Sequence, residues 1–387
     1  MRVAIDGRSL ASPGLRGWDR YTVGLIRELN TRGVDVVLLH QPSRRPRPAH
    51  LAGLRVTIEQ VASPSGLLWE QWALPQAVVR LGCDLYHAPC EHGLPLVCGV
   101  PTVLTIHSMT SHSYHELVRT GALDGPVSRY LGYDFSPGEW SLANRYQRWQ
   151  AKRAGHIITP SRFSGREVVQ YLGIPASRVT VTHLGIPADL LEPMDDESAG
   201  EVFQRLGVRA PYLLFVGGFE PHKNVDGVLD VFARVRAARP GLQLVLVGSG
   251  QVPERLERTL SGRGMTLGHD VLTLVDLGPE LRALYRAAAC FISLSWRESF
   301  GLPALEANVH GTPAVVSRHG ASREVLGVGA YLVDPQDVEA AAALVERILQ
   351  TAARVPEAEI ARLIQRFSWT KLGRRTVEVY ARLLGDN

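Results

Sequence analysis

The sequence predicts an α/β protein of two facing, doubly wound, Rossmann-like domains, and three observations carry that expectation. Its 387 residues exceed one ordinary domain. Short apolar runs alternate with longer amphipathic stretches in the first half, and a second series of the same kind begins near residue 200. The runs are apolar along most of their length, as expected for strands of a parallel sheet covered on both faces. Ligands of such sheets lie beyond the carboxyl ends of the strands, so two facing domains are expected to frame a ligand cleft.

Taken in order, Val3 to Asp6 reads as a strand, Tyr21 to Asn30 as an amphipathic helix and Val34 to Leu39 as a second strand, which is βαβ grammar. Residues 42–50, PSRRPRPAH, are proline-broken and basic and read as a surface loop, either plainly solvated or a patch for an anionic partner. A helix is expected from Leu67 to Arg80, and strands at Asp84 to His87, Val103 to His107 and His156 to Thr159. The acidic, weakly periodic stretch Glu192 to Gly200 separates the two series, giving a first domain over 1–195 and a second over 196–368. Strands of the second follow in YLLFVGG at 212–218, LQLVLVGSG at 242–250, Val271 to Val275, Cys290 to Leu294, Pro313 to Val316 and Ala330 to Val333. The final segment, 369–385, is helical in pattern and is assigned to the first domain, a docking that its periodicity does not specify.

Composition narrows the class of function. A 45% hydrophobic, 21% charged chain is that of a folded globular protein. The 42 basic and 38 acidic residues leave a net charge of +4, too small and too evenly spread for a nucleic-acid partner. Cys83, Cys90, Cys98 and Cys290 form no CxxC pair, and the chain does not begin like a signal peptide, so reduced thiols and a cytoplasmic location are expected. No run reaches the roughly 20 apolar residues that span a bilayer, and any membrane contact is expected to be peripheral. The histidines show no zinc spacing, and neither a metal nor a cofactor is required by any visible motif. No GxGxxG follows the first strand and no Walker loop or GxSxG elbow is present, which disfavours dinucleotide oxidoreductases, triphosphatases and serine hydrolases.

The segment Ser293 to Gly311, SLSWRESFGLPALEANVHG, is the richest in chemistry. It places Glu298 on a strand-to-helix loop and Glu306 inside the helix, about 2.2 helical turns apart. The backbone around Phe300, Gly301 and Leu302 then offers helix N-terminal donors to an anion, while the carboxylates suit sugar and ribose hydroxyls. Two surface glutamates beside an ordinary amphipathic helix would show the same spacing.

Here a family resemblance enters. ESFGLPALEA, residues 298–307, resembles the E-x7-E signature of family 4 retaining glycosyltransferases, which have the two-domain GT-B fold. The resemblance implies that Glu298 contacts the transferred sugar and Glu306 the nucleotide ribose. FVGGFEPHKN is similar to the family segment in which a lysine, here Lys223, reaches the donor diphosphate near Gly218. His222 and the Gly217–Gly218 pair stand where many relatives carry an arginine, and Arg20, Arg297 and Arg318 are candidates to supply that charge from elsewhere. DGRSLASPGLRGWDRYTVGLIREL resembles the glycine-rich loop and following helix that face diphosphate and acceptor, with Gly14 and Gly17 in the loop. Asp19 departs from the glycine of many relatives and reads either as a helix N-cap or as a contact to an amine-bearing acceptor. His107 resembles the family histidine beside the transferred sugar, with Ser108 in place of the usual aspartate. LLWEQWALP at 67–75 and the stretch 158–186 also resemble family segments, so the similarity covers nearly the whole chain.

The reaction so implied moves a hexosyl or amino-hexosyl group from a UDP- or GDP-sugar to a hydroxylated small-molecule or saccharide acceptor, with retention through front-face attack. Residues 112–140 have no family match and are expected to line the acceptor side, with Tyr114, Glu116, Asp134 and Glu139 as candidates. Asp19 favours an aminocyclitol or aminoglycoside-type acceptor, as in antibiotic biosynthesis; a surface polysaccharide, as for the O-antigen mannosyltransferases that the N-terminal segments resemble, is the rival. Within the same fold, a phosphorylase, a sugar-nucleotide epimerase and a non-catalytic nucleotide-sugar binder remain the alternatives.

Overall fold

A computed structural model describes residues 1–12, 17–121, 137–248 and 255–385. The chain divides into two compact units, the first comprising Met1–His112, Phe135–Gly185 and Ser368–Asn387, the second Ser113–Asp134 and Ile186–Phe367. The division falls after Gly185 rather than at 195, and the first unit also takes in the C-terminal segment.

The first unit holds seven parallel strands: β1 (Arg2–Asp6), β2 (Asp35–His40), β3 (Thr57–Gln60), β4 (Leu85–Ala88), β5 (Thr102–Thr105), β6 (His156–Thr159) and β7 (Val179–Val181), in the order β3-β2-β1-β4-β5-β6-β7. The reversal between β1 and β4 makes this a doubly wound sheet. β3 and β7 were not expected from the sequence. Both are edge strands, TIEQ and VTV, and neither has the apolar run of a strand covered on both faces. The central strands β4, β5 and β6 are buried throughout, and Leu39, Trp69, Leu74, Val78, Leu104 and Ile157 are among the side chains that pack into one core. Each such aliphatic side chain contributes about 1.5–3 kcal/mol by leaving water.

The helix expected over residues 21–30 runs over Gly17–Thr31. Residues 42–50 are a surface segment as expected, shaped by two short 3-10 turns at Pro42–Arg44 and Pro48–Leu51. The helical stretch from Gly66 to Arg80 carries a π segment at Trp69–Ala73. The C-terminal helix Trp369–Leu384 packs along Gly17–Thr31. A β-carbon at Gly24 or at Gly185 would strike the Trp369 indole, so these glycines admit the ring.

The second unit holds six parallel strands, β8 (Tyr212–Val216), β9 (Gln243–Gly248), β10 (Val271–Val275), β11 (Cys290–Ser293), β12 (Ala314–Ser317) and β13 (Ala330–Val333), ordered β10-β9-β8-β11-β12-β13. Chain order reverses between β8 and β11, so the crevice of this sheet lies at their carboxyl ends. Leu213, Phe215, Phe232, Leu246 and Ile292 belong to its core. The stretch read as a separator is in part a helix, Asp196–Leu206, whose N-cap Asp195 accepts a hydrogen bond from the Ser198 amide and which ends at Gly207. Its acidic start is helix-initiation chemistry, which mimics a linker in composition.

Candidate active site

In the second unit, β11 ends at Ser293, and the loop that follows returns to a helix over Leu302–Val309. Glu298 sits on that loop. Its backbone accepts from the Ala321 amide at 2.9 Å and donates to the His319 carbonyl at 3.3 Å. This bridge brings the loop against Gly320, whose φ of +126° and contact with the Glu298 backbone leave no room for a β-carbon. On the other side, Trp296 donates its amide to the His222 carbonyl at 3.0 Å, tying this loop to the turn that follows β8.

That second turn, Pro221–Lys223, delivers Lys223. Its Nζ donates to Glu298 Oε1 at 2.9 Å, with the two side chains 24% and 21% exposed. Burial opposes the charge on Glu298, but Lys223, hydrogen bonds from Ser295 and Lys223, and the nearby His222 outweigh it and hold the carboxyl below its ordinary value. His222 is driven the other way. Burial, reinforced by Lys223, lowers its imidazole to about 4, so at neutral pH Lys223 is the cation of this pair. Asn224 fixes the turn: its side chain donates to the Leu294 carbonyl at 3.0 Å and accepts from the Gly227 amide at the start of helix Val225–Ala238.

Lys223 and Glu298 line a pocket of about 390 Å³, including the solvent at its mouth, with Val216, Ser293, Gly301 and Ser317. It therefore lies at the carboxyl ends of β8, β11 and β12. Gly301, at φ +82°, is the N-cap residue of helix Leu302–Val309 and has no side chain of its own to cap that helix end. The site thus combines one cation, one carboxylate and backbone N–H groups oriented outward by a helix dipole, which is a place for an anion next to hydroxyl groups. Phe300 itself is 4% exposed and packs edge-on against Phe367, so its side chain is turned into the core. Glu306 is 1% exposed and accepts from the Tyr285 hydroxyl at 2.7 Å. It lies on the helix as its spacing requires, more deeply buried than a ligand contact read from sequence would suggest. A β-carbon on Gly218 would collide with the Glu220 carboxylate. Of the arginines considered, Arg318 is engaged by Asp334 at 2.6 Å. A larger depression in the first unit, lined by Asn30, Asp35, Arg55 and Thr57 among others, brings no comparable set of groups together.

In the first unit, His107 lies two residues past the end of β5. The loop after β4 grips it. Glu91 Oε1 accepts from the amides of His107 at 2.8 Å and Ser108 at 2.9 Å, and the imidazole Nε2 lies 2.9 Å from the Pro89 carbonyl. A carbonyl only accepts, so Nε2 carries the proton and Nδ1 of the neutral ring is left as an acceptor. Tyr21 packs edge-on against the same ring at 4.8 Å. Behind it runs a buried chain that sequence reading missed: Tyr21 hydroxyl to Thr105 at 2.9 Å, Thr105 to His87 Nε2 at 2.8 Å, and His87 Nδ1 to the Tyr380 hydroxyl at 2.6 Å. Burial, with a smaller push from His107, lowers His87 to about 3. No local motif marks this chain, because its members come from two strands and two helices far apart in sequence.

Asp19 is 1% exposed and is the third residue of helix Gly17–Thr31, so it lies inside the first turn and the N-cap reading is set aside. A carboxylate there still favours the positive helix end. No described protein atom lies within 4 Å of a β-carbon built on Gly17. Gly14 and Asp134 lie outside the described residues, as does the side chain of Glu139. Tyr114 groups with the second unit, not the first. It is fully buried beside Leu117, Val118 and Trp296, its ring 6.4 Å from that of His222, so it supports the Lys223 turn instead of presenting itself to an acceptor. Glu116 pairs with Arg119 at the surface. Among the described residues no group of His, Cys, Asp and Glu is arranged to hold a metal ion.

Comparison with known proteins agrees with these features. The model of the glycosyl transferases group 1 matches residues 201–361, and that of Glycosyltransferase Family 4 matches residues 15–190. The chain is 30% identical over 303 residues to a D-inositol 3-phosphate glycosyltransferase of Thermobispora bispora, covering 74% of this chain and 66% of the relative. It is 31% identical over 228 residues to the O-antigen chain mannosyltransferase B of Escherichia coli, covering 58% and 60%. In each case, then, the match spans less than two thirds of the relative's length. Among solved structures, that of Anabaena HepE with UDP-glucose superposes with a TM-score of 0.75 at 20% identity, covering 98% of this chain and 99% of the other, a likeness of fold.

Proposed function

The chain belongs to family 4 of the glycosyltransferases, with the GT-B fold, and from that premise we propose that it transfers a hexosyl or amino-hexosyl group from a UDP- or GDP-sugar to a hydroxyl acceptor with retention of configuration. The observation that carries the reading is the Lys223–Glu298 pair at the strand ends, beside the glycine-capped start of helix Leu302–Val309. A donor diphosphate carries more charge than one carboxylate, so it draws Lys223 and the helix end to itself. Glu298, released from Lys223, then accepts hydrogen bonds from the sugar hydroxyls. As the glycosidic bond breaks, negative charge builds on the departing phosphate, where a fixed ammonium and backbone N–H groups stabilise it most. Glu306 is proposed to hold the ribose and His107, through Nδ1, to accept from a hydroxyl of the sugar. Asp19 in the first unit is assigned to an amine- or hydroxyl-bearing acceptor.

An aminocyclitol or related polyol is the proposed acceptor class, supported by buried Asp19 and by the similarity to inositol-phosphate glycosyltransferases. The second reading, a surface-polysaccharide mannosyltransferase, is supported by the similarity to the O-antigen enzyme. Purified protein incubated with UDP- and GDP-hexoses and a pool of cyclitol, aminocyclitol and oligosaccharide acceptors is expected to add one hexosyl unit to an acceptor, read by mass spectrometry. Glu298→Gln is expected to lose at least tenfold in rate, the scale of one charge-assisted contact made in the transition state. Isomerised donor without acceptor product would replace the transferase by an epimerase, and binding without turnover on the full panel would make it a non-catalytic binder.

A further inference from the structure

The sheet of the first unit has a crevice of its own. Strand order reverses between β1 and β4, so a ligand of this sheet belongs between the segments that leave the carboxyl ends of those two strands. One segment leads into helix Gly17–Thr31, and the other is the loop from Pro89 onward. Each contributes an aromatic side chain, and the two meet. Trp18, in the first turn of the helix, is 37% exposed, and His92 on the loop is exposed as well. Their ring centroids are 6.2 Å apart at an interplanar angle of 75°, an edge-to-face contact. Being nearly perpendicular, the rings do not stack on each other, and exposed ring surface remains for a ligand.

A lone exposed tryptophan needs no explanation on a protein surface. This one is fixed from two sides, and both lead to His107. Along the helix, Trp18 and Tyr21 are three residues apart and share a face, and the Tyr21 ring lies 4.8 Å from that of His107. Along the loop, His92 follows Glu91, whose Oε1 accepts from the His107 and Ser108 amides. The loop is firmly seated. The Tyr86 hydroxyl donates to the Gly93 carbonyl at 2.6 Å, and Gly93, at φ +92°, lies so close to Asp6 that a β-carbon would strike its carboxylate. At the helix start, the Thr22 hydroxyl donates to the Trp18 carbonyl at 2.9 Å.

We propose that Trp18 and His92 form a stacking wall of the acceptor site, and that the acceptor is a six-membered polyol ring, pyranose or cyclitol, laid with a face of C–H groups on the indole. The inference rests on the transferase reading and narrows its acceptor. Chemistry selects a ring. The face of an indole carries negative partial charge, while the hydrogens on carbons that bear hydroxyls are positively polarised and, in a six-membered ring, project together from one face. An open-chain polyol presents such a face only after its torsions are frozen, which costs entropy on binding. The anionic donor finds its cation and helix end in the second unit, at Lys223 and the start of Leu302–Val309, which leaves this crevice to the other substrate.

Saturation-transfer NMR tests this on the full chain, irradiated at aromatic frequencies. The ring probes are myo-inositol, 2-deoxystreptamine and methyl α-mannopyranoside, with D-mannitol as the open-chain control, each with and without UDP and GDP. Saturation is expected on the C–H protons of a ring probe and much less on D-mannitol. Trp18→Ala is expected to weaken the ring about tenfold, the scale of an aromatic contact, and His92→Ala and Trp18→Phe about threefold. Melting temperatures report whether each variant is folded, and His92→Ala, at an exposed position, still tests the wall if Trp18→Ala does not fold. No ring probe bound under any condition, equal saturation of D-mannitol and the rings, or ring affinity unchanged in the folded variants would each overturn the proposal. Titration of the wild type with UDP and GDP separates the two readings. Nucleotide bound without any ring overturns the wall alone, whereas a ring bound without nucleotide sinks the donor reading and leaves the wall in place.

Discussion

Lys223 and Glu298 define each other's chemistry. Glu298 is held below the ordinary carboxylate value against the pull of burial, and Lys223 is the main reason. In Lys223→Ala only the burial effect and weaker partners remain, so the carboxyl is expected to titrate higher. A carboxylate depressed in the folded state stabilises the protein above its unfolded value and loses that contribution as pH falls through the folded value. The stability difference between wild type and Lys223→Ala should therefore be largest near neutrality and shrink on acidification, which denaturant melts at pH 7 and pH 4 will measure; a constant difference would mean the pair is not coupled. Glu91 offers the matching case in the first unit. Its one oxygen holds two amides, while Oε2 is buried and, among the described residues, has no hydrogen-bond partner. Glu91→Ala should free the His107 turn and mix its ring tautomers, visible as a change in the long-range proton–nitrogen correlations of labelled histidine, whereas Glu91→Gln should preserve the Nε2–H form.

At the scale of elements, the helix Trp369–Leu384 contributes a side chain to the buried polar chain beneath His107. Tyr380 donates to or accepts from His87 Nδ1 at 2.6 Å and has no exposure to water. Tyr380→Phe leaves that ring nitrogen buried without a partner and is expected to cost about 1–3 kcal/mol of stability, measured by urea unfolding. Gly24→Val pushes the Trp369 ring out of its seat and should destabilise by a similar amount through overpacking. The helix pattern of 369–384 was legible from its amphipathic periodicity, but its seat was not, because the glycines that admit Trp369 are distant in sequence and silent in composition. The edge strands β3 and β7 escaped for a related reason: TIEQ and VTV are short and lack the apolar run by which the edge strands β10 and β13 of the other sheet were legible.

Over the whole molecule, buried neutral histidines set the response to acid. Burial lowers His87 to about 3, and His156 and His222 to about 4, against an ordinary 6.5. The unfolded chain binds more protons than the folded one between those values, so stability should fall as pH drops from 6.5 toward 4. Calorimetric unfolding in buffers of different ionisation enthalpy should show proton uptake on unfolding at pH 5 and little at pH 7.5. The sequence by itself determined the two doubly wound sheets, since alternating apolar and amphipathic runs are local consequences of which faces must leave water. Lys223, Glu298 and His107 were singled out by resemblance to family segments, not by spacing, and the structure places all three in turns or loops that follow strands. Tertiary structure alone decided that Lys223 meets Glu298, that Glu91 and Pro89 orient His107, and that Tyr114 is buried in the second unit while Leu68 and Trp72 stay exposed. Those outcomes depend on which distant segments pack together, and a hydrophobic residue in a sequence carries no mark of whether its outward neighbour is protein or water.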